Sequence, residues 1–147
     1  MKSLFEPSSK EEIISRIAKL SGQHVPLWGK MSVSQMLHHC QFPLKLAIKN
    51  DPKGSKPNFL ARLFFKKMMY NDRLWRKNLP TVPKFKVVED KDFNSEKKLL
   101  LELIEEFSSK SDKINWNPHP MFGKFSPEQW GKIQYKHLDH HLRQFGV

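Results

Sequence analysis

Histidine is the side chain best suited to act as ligand or proton carrier near neutral pH. Three of this chain's histidines, His137, His140 and His141, fall in one short run near the C-terminus. The run, Lys136-His137-Leu138-Asp139-His140-His141-Leu142-Arg143-Gln144, follows Ser126-Pro127-Glu128-Gln129. There Ser126 can cap a helix, Pro127 suits the first helical position, and Gln129 completes a capping box. Nothing downstream breaks a helix except Gly131, near its start, and Gly146, just past its end. At about 100° per residue, Trp130, Ile133, His137, His141 and Gln144 share a stripe roughly 80° wide. His140 lies to one side of it and Asp139 points away. The apolar start of the stripe turns it toward a core, so two imidazoles enter that core one turn apart. A single core histidine is ordinarily a hydrogen-bonded structural residue, whereas two neutral ones at i, i+4 make half of a metal site. Spacing alone leaves both readings open.

Other elements must complete or frame such a site. Ser9-Lys10-Glu11-Glu12 matches a capping box and leads into Ile13, Ile14, Ile17 and Leu20, which predicts a first helix over 9–21 ended by Gly22. Gln23 to Lys30 is a connection in which Trp28 is expected to plug one end of the core. A second helix starts at Ser32, with Gln35 closing its capping box, and turns Val33, Met36, Leu37, Cys40, Leu44, Ala47 and Ile48 inward. His39 lies within or beside that face. Pro43 removes the hydrogen bond normally accepted by the His39 carbonyl, which predicts a kink there. Cys40 reads as a small apolar filler rather than a ligand.

Asn50 to Lys56 is a polar turn, and Pro57-Asn58 opens a third helical stretch from Phe59 to Tyr70, with Leu60, Leu63, Phe64 and Met68 inward. Between residues 56 and 77, Lys56, Arg62, Lys66, Lys67, Arg73, Arg76 and Lys77 face a single acid, Asp72. Phe64, Phe65, Tyr70 and Trp75 interleave with them, the pattern of a nucleic-acid or acidic-ligand patch. A solvated helix face is the ordinary explanation, and no nucleic-acid-binding signature accompanies the stretch. Asn78 to Val88, with Pro80 and Pro83, reads as a long connection. A further helix spans 93–108, with Phe93, Leu100, Leu103, Ile104 and Phe107 inward. Ser109 to Phe125 is a second long connection, in which His119 sits between Pro118 and Pro120 and either walls a pocket or marks a surface turn.

At 147 residues one domain, 1–147, is expected. A net charge of +11 favours polyanions in general but is also common on a plain solvated surface. The lone Cys40 excludes an internal disulfide and a thiolate zinc cage, and fits a reducing cytoplasm. No run approaches a membrane span, and the N-terminal segment lacks an apolar signal core, so a cytoplasmic location is expected.

With His39 beside the pair His137 and His141, the pattern resembles the DinB-like, YfiT-type superfamily. The segment from Ser32-Val33 through Leu37-His38-His39 resembles its second-helix motif, and His137 to Gln144 its closing H-x-x-H-H-x-x-Q. More narrowly, the chain resembles a family of unknown function within that superfamily. The matching segments are Trp28-Gly29-Lys30-Met31-Ser32-Val33, Asn78-Leu79-Pro80-Thr81-Val82-Pro83, His119-Pro120-Met121-Phe122-Gly123-Lys124 and Lys136 to Phe145. The resemblance implies an all-α, antiparallel four-helix bundle with an additional short helix and long connections. It also implies a metal site on His39, His137 and His141, and a metal-dependent transferase or isomerase that uses a low-molecular-weight thiol.

Three histidines with one open position is the layout of a catalytic divalent-metal site, and imidazole ligands suit zinc or nickel. Such an ion lowers the pKa of a bound thiol or water. The protease motif H-E-x-x-H is absent, because Leu138 stands where its glutamate would be. Asp139 lies on the far side of the helix, a poor position for a general base. The expected chemistry is therefore transfer of a small thiol to an electrophilic substrate. The alternatives are a metal-dependent hydrolase and a non-enzymatic basic helical module, with nucleic acid the disfavoured partner. The sequence leaves monomer and homodimer open, and assigns no role to His38, His119 or His140.

Overall fold

The computed structural model describes residues 1–49, 59–80, 83–113 and 115–147. Among these residues five α-helices follow one another: α1 Pro7–Ala18, α2 Val33–Ile48, α3 Phe59–Tyr70, α4 Phe93–Ser108 and α5 Pro127–Gln144. A 3-10 turn, Pro83–Phe85, lies between α3 and α4. Among the described residues there is no strand, only an isolated bridge between His119 and Gly123. The protein is all-α, as its periodicities require. No helix among the described residues is long and apolar enough to cross a membrane.

The capping boxes expected at Ser32 and Ser126 are both present, each with the reciprocal glutamine bond. The one expected at Ser9 is not. Glu6 is the N-cap of α1 and Pro7 opens the helix, where a missing N–H is harmless. Ser9 is buried in the first turn, its hydroxyl donating to Glu6 Oε2 at 2.8 Å. Glu12 instead accepts from the Tyr135 hydroxyl at 3.0 Å. α1 also ends at Ala18, short of the expected 21, although Leu20 remains buried. α2 runs without a break through Pro43, whose carbonyl accepts from Gln134 Nε2 at 3.0 Å.

Cross-contacts give the helix directions. Lys10 pairs with Glu105 while Lys97 reaches the carbonyls of Ala18 and Leu20, so α1 and α4 are antiparallel. Gln134 reaches Pro43 and His137 reaches His39, so α2 and α5 are antiparallel. Gln35 bonds to Glu89 and Gln41 to Glu96, so α2 and α4 run in the same direction. The expected wholly antiparallel arrangement is thereby corrected: the long connection carrying α3 lets the chain return before α4 begins, and long crossovers permit parallel neighbours.

α1, α2, α4 and α5 all contribute to one cluster of buried apolar side chains. α5 touches α1, α2 and α3, and residues 133–139 along it are all buried. Gly131 is the close-approach point: Leu4 N donates to its carbonyl, and a Cβ there would lie 2.2 Å from Ser3 Oγ.

α3, expected as a short addition, has the same 12 residues as α1. Phe64, expected inward, is 66% exposed. Among the described side chains of α3, Met69 and Tyr70 at its C-terminal end pack on the core, and the buried Lys136 ammonium donates to Met68 O at 2.7 Å and Asn71 O at 2.8 Å. The expected turn at Asn50 to Lys56, the start at Pro57-Asn58, the side chains of Leu60, Arg62 and Leu63, and Thr81-Val82 lie outside the described residues.

Candidate metal centre

The stripe on α5 faces inward as its spacing requires: Trp130, Ile133, His137, His141 and Gln144 are all buried. α2 presents His39 to it from the opposite side, 7% exposed, while its neighbour His38 turns to Glu96 at 2.9 Å. The register of α2 therefore places His39, not His38, against α5. The rings of His39, His137 and His141 meet with centroids 5.1, 4.8 and 4.8 Å apart. One candidate ligand atom from each lies within 4.8 Å of the others. His39 Nε2 and His137 Nε2 are 3.2 Å apart, close to the ~3.3 Å that two nitrogens adopt around a tetrahedral zinc at about 2.0–2.1 Å each.

The surroundings set the tautomers of two of these rings. His39 Nδ1 lies 3.1 Å from the Phe85 carbonyl, which can only accept, so Nδ1 carries the proton and Nε2 offers a lone pair. His141 Nδ1 lies 2.9 Å from Gln144 Oε1, which does the same for its Nε2. Gln144 is itself held, its Nε2 donating to the Trp28 carbonyl at 2.7 Å. Outer-shell bonds of this type orient ligating histidines and raise their basicity. His137 differs: its Nδ1 is buried without a hydrogen-bond partner among the described residues, so no fixed acceptor there sets its tautomer.

All three rings are kept neutral. Burial pushes His137 well below the usual histidine range, reinforced by His141 and His39. Burial likewise takes His141 down to about 3, against the opposing bond from Gln144. His39 is lowered by burial, with the Phe85 carbonyl partly restoring it. Neutral imidazoles that each bring one ring nitrogen within 4.8 Å of the others are a donor set that fits a borderline divalent ion.

The remaining predicted residues fall elsewhere. Cys40 is a fully packed filler whose thiol lies 3.6 Å from Met36 Sδ, and burial pushes its pKa far up. His119 belongs to a turn: its Nδ1 accepts from Met121 N and Phe122 N, and its ring packs on Phe122, Phe125 and Trp130. Asp139 points away from the histidines as expected but is buried, its oxygens accepting from Arg16 at 2.7 Å and Arg143 at 2.9 Å. Trp28, expected to plug the core, is half-buried against His140.

Spacing alone gave no part at this site to Phe85, Trp75 and Lys136, and gave Gln144 a place on the stripe but no partner. Trp75 sets its ring against His137 at 6.0 Å and His140 at 5.6 Å, with its indole N–H on the Met68 carbonyl. Gln144 carried a signal, since it shares the stripe three residues after His141. The Phe85 contact is a backbone carbonyl and carries none.

Comparison with known proteins gives a family. The model of a family described as Protein of unknown function (DUF1569) matches residues 3–146, and the chain belongs to it. No curated protein and no solved structure matches the chain.

Proposed function

We propose that this chain, as a member of that family, is a divalent-metal protein of DinB-like architecture whose centre activates a low-molecular-weight thiol for transfer to a small electrophile. His39, His137 and His141 would hold zinc or nickel, and a fourth position would remain for the reactant. The observation that carries the reading is the paired orientation of His39 and His141. Each has its Nδ1 proton committed to a fixed acceptor, which leaves Nε2 as its lone-pair nitrogen, and each belongs to one cluster with His137. A helix core that needed only packing would have no use for two such locks.

A bound ion would supply Lewis acidity, lowering the pKa of a thiol or water at the remaining position. The chain's own groups orient the ligands, keep them neutral and limit access of water. No carboxylate among the described residues joins the three-histidine group, and Asp139 is committed to Arg16 and Arg143. Without a carboxylate base, an easily ionised thiol is a better nucleophile than water. In the transfer, sulfur forms the new bond to carbon, the leaving group departs with its bonding pair, and the thiol proton passes to water. One histidine from the second helix and two from the last agree with the DinB-like layout, and the proposed location is the cytoplasm.

Metal analysis of protein purified without a nickel column tests the centre: about one ion per chain is expected, and little in His137→Ala. Thiol consumption with a reactive electrophile, measured against the same variant, tests the chemistry. A metal-free protein that takes up no added zinc or nickel sinks the reading. Metal uptake with ester or amide hydrolysis but no thiol consumption moves it to a hydrolase. Co-purified nucleic acid with no metal moves it to a basic binding module.

A further inference from the structure

Beside the three histidines, Trp28, Trp75 and His140 wall a cavity of about 200 Å³ whose lining also includes Lys77, Lys136 and Arg143. We propose that this cavity binds a small organic anion with a flat unsaturated body, an aromatic carboxylate being the type case. We assign it as the seat of a co-substrate at the metal centre. Only that last assignment rests on the metal-dependent reading; the binding site itself stands on the cavity.

The walls supply the flat surface. The rings of Trp28 and Trp75 lie 5.9 and 5.6 Å from that of His140, both steeply inclined to it. Indole faces favour stacking against an unsaturated ring. The His140 ring nitrogens have no hydrogen-bond partner among the described residues, so they remain available to a polar edge of the occupant.

Charge decides the sign. Asp139 is the one carboxylate in the lining, and Arg16 and Arg143 already neutralise it. Lys136 directs its ammonium at three neutral oxygens, Met68 O, Asn71 O and Asn71 Oδ1. It adds positive potential but no free donor. Lys77 sits over the Trp28 ring at 4.8 Å and has no ion-pair partner among the described residues, which leaves it as the cation free to meet a ligand. A concave site with surplus positive charge and apolar walls concentrates anions. Its volume lies below the ~300–1,000 Å³ typical for drug-sized ligands, so the occupant is about one ring plus its acidic group.

Position links the cavity to the metal centre. His140 packs its ring 5.2 Å from that of His141, and Trp75 lies 6.0 Å from His137. None of the three clustered histidines lines the cavity itself; two of its walls, Trp75 and His140, pack directly on His137 and His141.

The test is calorimetric titration of benzoate and of its neutral analogue benzamide, at low salt, into metal-free and zinc-loaded protein. Benzoate should bind at least tenfold more tightly than benzamide. Lys77→Glu, a change at an exposed side chain, should weaken benzoate at least tenfold and leave benzamide unchanged. Trp28→Leu should weaken both, since it removes a wall and leaves intact the backbone carbonyl that holds Gln144. Equal affinities for the two probes, no binding of either, or benzoate binding indifferent to Lys77→Glu each overturns the proposal. Metal content is read on the same samples. Benzoate binding in protein that takes up no metal leaves the cavity standing and removes the metal reading, and metal uptake without benzoate binding does the reverse.

Discussion

Mild acid should destabilise the metal-free protein before its carboxylates titrate. His137 is held well below the usual histidine pKa and His141 at about 3, whereas both return to about 6.5 in the unfolded chain. Between those limits the unfolded chain binds more protons than the folded one. Stability is therefore full above the unfolded pKa and falls as pH drops through it. A histidine that stays neutral when folded loses RT ln(1 + 10^(pKa − pH)), which between pH 7 and 5.5 is roughly 1.2 kcal/mol. The two together lose about 2.5 kcal/mol, a large part of the ~5–15 kcal/mol that holds a domain folded. His39 and His140, also lowered by burial, act in the same direction. The carboxylates with depressed pKa, Glu12, Asp72, Asp92 and Glu128, lose their contribution only at lower pH and leave this window clear. Urea unfolding of chelator-treated protein, followed by circular dichroism at pH 7 and 5.5, measures the loss. The double variant H137Q/H141Q should lose about 2.5 kcal/mol less between the two pH values, whatever its stability at pH 7. An equal loss in the wild type and the double variant would refute the claim that these rings are folded in neutral.

Gln144→Ala removes the acceptor that sets the His141 tautomer and the donor to Trp28. It should weaken metal affinity about 10–100-fold in a competition titration, as loss of an outer-shell partner does elsewhere. Lys136→Met keeps the buried stem but leaves Asn71 O and Oδ1 without this donor, while Met68 O keeps only the Trp75 indole N–H. A loss of about 1–3 kcal/mol in urea unfolding is expected, with earlier amide exchange in α3 than in α5. Gly131→Ala drives a Cβ into Ser3 Oγ and the Phe5 ring, and should cost about 1–3 kcal/mol by overpacking although alanine is the better helix former.

Much of the frame was legible because it rests on local chemistry. The capping boxes at Ser32 and Ser126 are four-residue patterns, and the structure starts α2 and α5 where they stand. The same pattern misled at Ser9, because Pro7 lies two residues upstream and its fixed φ opens the helix earlier. Helix direction was not legible. Whether α2 and α4 run together or opposed depends on how the chain between Tyr70 and Phe93 returns, and no short pattern encodes that. The inward face of α3 was misread at Phe64, and among the described side chains of this helix it is Met69 and Tyr70, at its C-terminal end, that pack on the core.

At the candidate centre, the convergence of the three histidines was legible and their supports were not, and α5 shows why. Lys136, His137, Leu138 and Asp139 are consecutive and all buried, yet three of them address different neighbours. Lys136 grips the end of α3, His137 meets His39 on α2, and Asp139 holds Arg16 on α1. A stripe analysis assigns one face to the core, so it finds the histidines and turns Asp139 away from them, but it is silent on what Asp139 meets there. The buried carboxylate is not idle on the far side. Its ion pair with Arg16, and the Tyr135 bond to Glu12 beside it, fix the rotation of α5 about its own axis from behind. Rotation is the variable that matters at the front, where a turn of one residue, about 100°, would bring His140 or Leu138 to face α2 in place of His137 and His141. The geometry of the three-histidine cluster is therefore set as much by an acid pointing away from it as by the histidines themselves.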